Sequence, residues 1–160
     1  MTTLMQRFAA LTINLPARLL TPLADLLALG TRFWVGWQFW ISGRLKLESW
    51  ETTLYLFRDE YRTPLLPPEI AAVAGTAGEL VFPALLFAGF CGRLAAIGLF
   101  GVNAMAVISY SHVLLSDGFE AALGQHVLWG FMLVMLVAYG PGRLSIDHLV
   151  FRRRGIVEHV

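Results

Sequence analysis

The sequence predicts an all-α membrane protein, an antiparallel bundle of four transmembrane helices with an amphipathic helix in an outer loop. The 160 residues are 57% hydrophobic and only 14% charged, whereas soluble domains average about 25% charged residues. Four apolar segments approach the ~20 residues that a helix needs to cross a bilayer. The connections between the last three are very short, so those helices are expected to be antiparallel neighbours.

The N-terminal segment, residues 4–20, is interpreted as an amphipathic stretch on the membrane surface. Arg7 and Arg18 flank a short apolar run that is broken by Asn14 and Pro16. No clear cleavage site of a secretory signal precedes the first long apolar segment. The first crossing is therefore expected to act as an uncleaved anchor.

The four crossings are predicted at residues 23–43, 70–90, 94–115 and 121–140, within a single transmembrane domain that covers residues 1–160. Their direction follows from the loops, because Lys and Arg concentrate on the cytoplasmic side. One side collects seven arginines: Arg7, Arg18, Arg93, Arg143 and Arg152–Arg154. The other side mixes basic with acidic residues, so both termini are expected to be cytoplasmic.

The first outer loop carries a second amphipathic pattern at residues 49–61. Trp50, Leu54, Phe57 and Tyr61 recur at helical spacing with charged residues between them, which is typical of a helix resting on a membrane face. The prolines of "TPLLPPE" then stiffen the chain. Two interpretations remain open: a lid over the bundle, or a loop for partner docking or substrate gating.

The second crossing contains a carboxylate, Glu79, where a lipid-spanning helix should be apolar. Counted from the predicted helix ends, Glu79, Arg32 and Asn103 all lie about 13–17 Å from the cytoplasmic edge. A charge at that depth is normally paired and faces inward. We therefore expect Arg32 to bind Glu79 through two hydrogen bonds, with Asn103 as a further donor.

Pro83 follows Glu79 by four residues and lacks the N–H that would bind the Glu79 carbonyl. We expect a kink there, with a free backbone acceptor that needs a partner at membrane depth. Two interpretations of this region stay open. It is either a structural contact that holds the helices in register, or a polar pocket for a ligand, a quinone head group or a proton.

A second polar set is predicted nearer the outer surface. His112 and His126 flank the short turn between the last two crossings, roughly 5–8 Å below the outer edge. Gln38 lies in the outer part of the first crossing, beside Trp37 and Trp40. The histidine spacing matches no strong metal motif, so interfacial hydrogen bonding is the expected role and no metal site is predicted.

Three stretches together resemble the DoxX family of bacterial four-helix inner-membrane proteins. These are "TLYLFRDEYRTPLLPPE", "GELVFPALLFAGFCGRLAA" and "GPGRLSIDHLV", and the resemblance covers roughly residues 32–150. It implies a location in the bacterial inner membrane. Positions 32, 79 and 147 match the family pattern, and Pro83, Lys46 and Asp147 are assigned structural roles. In the last stretch, Gly140 and Pro141 should end a helix, and Asp147 should cap or pair with Arg143.

The resemblance also implies a function. The family is named for its similarity to a membrane subunit of a thiosulfate:quinone oxidoreductase, and some members associate with redox-stress complexes. Other members that share the outer-loop stretch accompany gene clusters for secreted metal-binding peptides. The first hypothesis is therefore a redox-linked membrane subunit that binds quinone in a pocket around Arg32 and Glu79.

The sequence contains no ligand set for haem, flavin or an iron–sulfur cluster, so no intrinsic cofactor is predicted and quinone is the candidate ligand. Whether the chain is itself an oxidoreductase subunit is left open, since it has no complete catalytic motif. The alternative is a non-enzymatic membrane anchor or assembly partner, linked to the maturation or export of metal-binding peptides.

A weaker third hypothesis is a permease. Four helices are few for transport, so the protein would have to oligomerise through faces of small residues, Gly36 with Gly43 or Gly98 with Val102 and Ala106. The partners predicted are the lipid bilayer, a membrane or periplasmic protein, and a second copy of the chain. No nucleic acid is predicted, because anionic lipid and topology explain the basic tail at Arg152–Arg154.

Overall fold

The computed structural model describes residue 8 and residues 15–153. The described chain is helical and contains no β-strand in those residues. Its helices are α1 (Leu15–Glu48), α2 (Trp50–Tyr55), α3 (Pro68–Ala88), α4 (Gly92–Ser109), α5 (Ser111–Leu114), α6 (Glu120–Tyr139) and α7 (Ile146–Arg153). A π-helical turn, Leu56–Glu60, continues α2.

Three of the described helices, α3, α4 and α6, are long and apolar enough to cross a membrane. They occupy the regions of the second, third and fourth predicted crossings. The third is shorter than predicted, because Tyr110 leaves the helical conformation at φ −112° and ψ 17° and a separate short helix, α5, follows. The chain therefore contains the apolar helices of an integral membrane protein.

Helix α1 differs most from its predicted bounds of 23–43. It is a single helix of 34 residues that runs through Pro22. Residues 15–20 of the predicted surface segment belong to this helix, while residues 4–14 other than Phe8 lie outside the described residues. At the other end α1 continues five residues past Gly43, and this extension places Lys46 on the helix rather than in a loop.

One apolar core joins the four long helices. It contains Val35 and Phe39 from α1, Leu86 from α3, three residues of α4, and Leu133 and Leu136 from α6. Helix α1 packs against α3 and α6, and α4 packs against the same two helices. The core lies between the helices, so the apolar side chains on their outer faces remain exposed.

The small residues predicted to form faces for a second copy pack within the chain instead. A Cβ atom added at Gly36 would lie 2.7 Å from the Phe87 ring, and one at Gly43 would lie 2.9 Å from Leu80. Gly98 likewise abuts the ring of Phe82. These glycines allow α1 to approach α3 and α3 to approach α4. Gly36 and Gly43 are buried in these contacts, and Gly98 is half-buried.

The outer-loop segment packs on α3 as a second, smaller cluster. Phe57, Ala71 and Ala72 are buried there, and Trp50, Leu54 and Tyr61 surround them. The Arg62 N–H donates to the Ser109 carbonyl over 2.8 Å, which fixes the end of the segment to α4. The predicted helix at 49–61 is thus divided into α2 and the π-helical turn, and it covers one end of the helices. We call this the Lys46 end.

The opposite end, called the Gly89 end, is held by the turn between α6 and α7. The Asp147 carboxylate accepts the N–H groups of Cys91 and Gly92, each over 2.8 Å, and so caps the start of α4. Arg143 binds Asp25 of α1, with 2.6 Å between Nε and Oδ2. Of the two roles predicted for Asp147, the structure has the cap, while the partner of Arg143 is Asp25.

Candidate functional site

The carboxylate of Glu79 is neutralised by Lys46. Lys46 Nζ lies 2.6 Å from Glu79 Oε2 and 2.8 Å from Oε1, and it also donates to Ser42 Oγ over 2.8 Å. The two charged side chains are only 15% and 10% exposed. Gly43, one turn before Lys46, would place a Cβ atom 3.1 Å from Glu79 Cβ, so the absence of a side chain there lets the helices come together.

The predicted pair of Arg32 and Glu79 is wrong. Arg32 Nη2 donates to the Leu144 carbonyl over 2.7 Å, and its side chain lies against Gly89 at the opposite end of α3. Arg32 precedes Gly43, which contacts Glu79, by eleven residues, a separation of roughly 16 Å along a helix. The predicted start of the first crossing at residue 23 places Arg32 too deep, and its predicted end at Gly43 places Lys46 in a loop, whereas the helix spans Leu15–Glu48.

Arg32 is nevertheless buried, with 1% of its surface exposed. Its Nε and Nη1 atoms have no hydrogen-bond partner in the described part of the chain. The bond to Leu144 joins α1 to the turn that precedes α7. Arg32 therefore connects elements at the Gly89 end and takes no part in a pocket around Glu79.

Asn103 binds a histidine instead of the predicted charge pair. Its Nδ2 donates to the His126 carbonyl over 2.9 Å, and its Oδ1 lies 2.8 Å from His126 Nδ1. These two bonds join α4 to α6 at a buried position, where Asn103 is 5% exposed. The prediction of Asn103 as a further donor at the Glu79 carboxylate is therefore wrong, and its partner is His126.

A cavity of about 570 Å³ lies between the helices at the Lys46 end. Much of its wall is apolar and includes Phe39, Val102, Met105 and Trp129. Its polar lining comprises Gln38, Ser42, Lys46, Tyr61, Thr63, Glu79, Ser109, Tyr110 and His126. A space of this kind, apolar with a few placed polar groups, is typical of a small-molecule site.

The cavity brings together three of the six candidate ligand-binding residues, Gln38, Glu79 and His126. Asn103 is connected to it through its bonds to His126. Arg32 and His112 do not line it. The polar residues that sequence reasoning missed include Ser42 and Tyr61. Phe39, Ser42 and Lys46 do share one helix face, with spacings of three and four residues, and that pattern was the available signal.

Aromatic contacts form part of the cavity wall. Tyr61 packs edge-on against Phe57 and Tyr110, with ring centroids 4.9 and 5.4 Å apart. His112 contacts the far side of this group through Tyr110 at 5.4 Å. His126 packs on Trp129 at 4.9 Å. The two histidines thus belong to separate aromatic groups, and the described residues contain no cluster of three potential metal ligands.

Burial raises the pKa of the Tyr61 hydroxyl above its ordinary value, and the charge of Glu79 raises it further. The neutral form of Tyr61 is therefore favoured beside the Lys46–Glu79 pair.

Pro83 lies inside α3 and is fully buried, and the helix runs through it from Pro68 to Ala88.

The sequence was compared with models of known protein families. The family model for DoxX matches residues 27–112, more than half of the chain. The chain belongs to the DoxX family. The match includes Lys46 and Glu79 of this DoxX protein, whereas His126 lies beyond it.

Comparison with individual proteins adds little about activity. A Haemophilus influenzae protein described as "Uncharacterized protein" is 28% identical to this DoxX chain over 127 residues. That alignment covers 74% of this chain and 80% of the Haemophilus protein. No solved structure matches the chain.

Proposed function

We propose that this DoxX protein is a multi-pass protein of the bacterial inner membrane that binds a lipid-soluble quinone in the Lys46–Glu79 cavity. It would serve there as the quinone-associated membrane subunit of a redox complex. One observation carries the proposal: a cavity of about 570 Å³ that combines a largely apolar wall with a mostly buried ion pair at the Lys46 end.

The chemistry of the lining suits such a ligand. Phe39, Val102 and Met105 offer apolar surface to the ring and the start of the tail. Lys46 and Glu79 neutralise each other, so the cavity favours a neutral molecule over an ion. Polar groups such as Gln38 and Tyr110 are available to oxygen atoms on the ring. A quinone would supply reversible two-electron chemistry when bound, while the chain's residues bind and orient it.

The proposed topology has four antiparallel crossings, with α1 as the fourth, and both termini in the cytoplasm. The arginines that the sequence collects on one side, Arg143 among them, support this direction, because Lys and Arg concentrate on the cytoplasmic side. The native Cys91, at the Gly89 end, should react with an impermeant maleimide only in opened cells. In a Cys91→Ser background, a cysteine replacing Thr52 at the Lys46 end should react in intact cells. The reverse pattern would contradict the topology.

The test of ligand binding begins with protein purified in mild detergent from quinone-containing bacterial membranes. Solvent extraction followed by chromatography measures the quinone bound per chain, and the same sample shows which proteins co-purify. About one quinone per chain is expected. Extracts with no more quinone than those of an unrelated membrane protein, prepared in the same way, would contradict the proposal.

The second candidate function is a non-enzymatic anchor or assembly partner in the maturation or export of metal-binding peptides. The observation that favours it is the exposed charged surface over the cavity, formed by Glu51, Arg58, Asp59 and Glu60. Such a surface suits a polar protein partner outside the membrane. A stoichiometric protein in the purified sample, without any quinone, would support this function over the first.

A further inference from the structure

We infer that the cavity selects a ligand with a phenolic hydroxyl, the reduced hydroquinone form rather than the oxidised quinone, through a hydrogen bond donated to His126 Nε2. This inference rests on the proposed function and names its substrate class more closely. It follows from the two bonds between Asn103 and His126, which determine which ring nitrogen carries the proton.

The first step is the orientation of the Asn103 amide. Its nitrogen and oxygen are distinguished by what they contact, and one contact is the backbone carbonyl of His126 at 2.9 Å. A carbonyl oxygen can only accept a hydrogen bond, so the atom facing it must be the amide nitrogen. The other amide atom, which faces His126 Nδ1 at 2.8 Å, must then be the oxygen.

The second step is the tautomer of His126. The amide oxygen of Asn103 can only accept, so Nδ1 must carry the hydrogen in the bond between them. In a neutral imidazole the other nitrogen, Nε2, then has a free lone pair and acts as an acceptor. His126 lines the cavity, and Nε2 has no hydrogen-bond partner in residues 15–153.

The third step is the charge state of the ring. An imidazolium would be stabilised by a free carboxylate in the cavity. Among the described residues that line the cavity, Glu79 carries the carboxylate, and both of its oxygens accept hydrogen bonds from Lys46. Partial burial of the His126 ring between the helices also disfavours a charged imidazole. The structure therefore presents neutral His126 with Nε2 as an acceptor.

The other polar groups of the cavity do not reverse this preference. The hydrogens of Lys46 Nζ are directed to Ser42 and Glu79, so the ammonium has none left for a ligand. Tyr61, Tyr110 and Gln38 can each donate or accept, so they bind a carbonyl or a hydroxyl alike. His126 Nε2 discriminates, because a ligand without a donor leaves a desolvated acceptor unpaired.

The test uses two probes that differ in one hydrogen-bond donor, 4-decylphenol and its methyl ether, 4-decylanisole. Binding of each to the purified full-length protein is measured by quenching or calorimetry in the same detergent. The phenol should bind at least about 5-fold more tightly, the range of one hydrogen bond to a buried partner. The preference should disappear in His126→Phe and persist in His148→Phe, a matched change at the Gly89 end.

A spectroscopic measurement keeps the test independent of any variant. In protein labelled with ¹⁵N-histidine, the His126 signals should show a protonated Nδ1 and an unprotonated Nε2 at neutral pH. A protonated Nε2 would overturn the inference, as would a phenol preference that survives in folded His126→Phe.

The outcomes also separate this inference from the proposed function. Equal binding of phenol and ether by the wild-type protein overturns the selection of a hydroxyl but leaves an apolar ligand site in place. If neither probe binds, and a decyl-substituted benzoquinone also fails to bind, both the inference and the proposed function are wrong.

Discussion

Lys46 Nζ lies within 2.8 Å of both carboxylate oxygens of Glu79, and this contact joins the end of α1 to the middle of α3. It places a matched pair of charges in the wall of an otherwise largely apolar cavity. A buried pair of this kind contributes little net stability, but loss of either partner leaves an uncompensated charge. The pair therefore fixes the position of α1 against α3 and keeps the cavity neutral.

The first prediction concerns this pair. Lys46→Met and Glu79→Met should each destabilise the protein by about 3–5 kcal/mol, because each leaves a buried charge without its partner. The double variant should recover most of that loss. Unfolding midpoints in detergent for all four proteins measure the coupling. Additive losses in the double variant would show that the two side chains act independently.

The second prediction concerns the contact between Gly89 and Arg32. Gly89 has φ +63°, and a Cβ atom there would overlap Arg32 Nη1 and would lie 2.6 Å from Ser145 Cβ. Gly118 has φ +91° but open space around the position of a Cβ atom. Gly118→Ala should therefore cost only the backbone strain, about 1–2 kcal/mol, and Gly89→Ala should cost clearly more. Equal losses in thermal unfolding would mean that neither Arg32 nor Ser145 restricts this position.

The third prediction concerns the cap on α4. Asp147→Ala removes the acceptor of two N–H groups and should cost about 1–2 kcal/mol. Asp147→Asn keeps one oxygen acceptor and should cost less. Hydrogen exchange of the Cys91 and Gly92 amides reports the cap directly, and both should exchange faster in Asp147→Ala. Unchanged exchange at these two amides would rule out the cap.

The fourth prediction concerns the ionisation of Tyr61. Burial and the Glu79 charge raise its pKa, so the folded protein holds this proton more tightly than the unfolded chain does. The resulting stability is present below pH ~10, the ordinary tyrosine value, and falls as the pH rises through the higher folded value. In a pH titration followed by tyrosinate absorbance, one tyrosine should ionise at a higher pH than an ordinary tyrosine. This step should be missing in Tyr61→Phe. A variant that retains the late step would contradict the assignment.

The sequence was sufficient to predict three apolar helices long enough to cross a membrane and several residues of the cavity. Helices α3, α4 and α6 follow from apolar length alone. Gln38, Glu79 and His126 were recognised because polar side chains are unexpected in such helices.

The pairings between helices were not predictable in the same way. The partner of Glu79 depends on the register of α1 against α3, and a shift of one turn moves a side chain by about 5.4 Å. Because α1 extends beyond its predicted end, Lys46 rather than Arg32 reaches Glu79. The short turn predicted that α4 and α6 are neighbours, but the pairing of Asn103 with His126 depends on the register between these two helices.

The most direct test of the account is the binding of a decyl-substituted benzoquinone, followed by quenching of tryptophan fluorescence, in two glycine variants. Gly101 lines the cavity and Gly124 does not, and both have open space where a Cβ atom would lie. The wild-type protein should bind about one molecule per chain, Gly124→Leu should match it, and Gly101→Leu should bind about 10-fold more weakly or worse. Unsaturable binding to the wild type, or equal affinity in the two variants, would contradict a ligand site in the Lys46–Glu79 cavity.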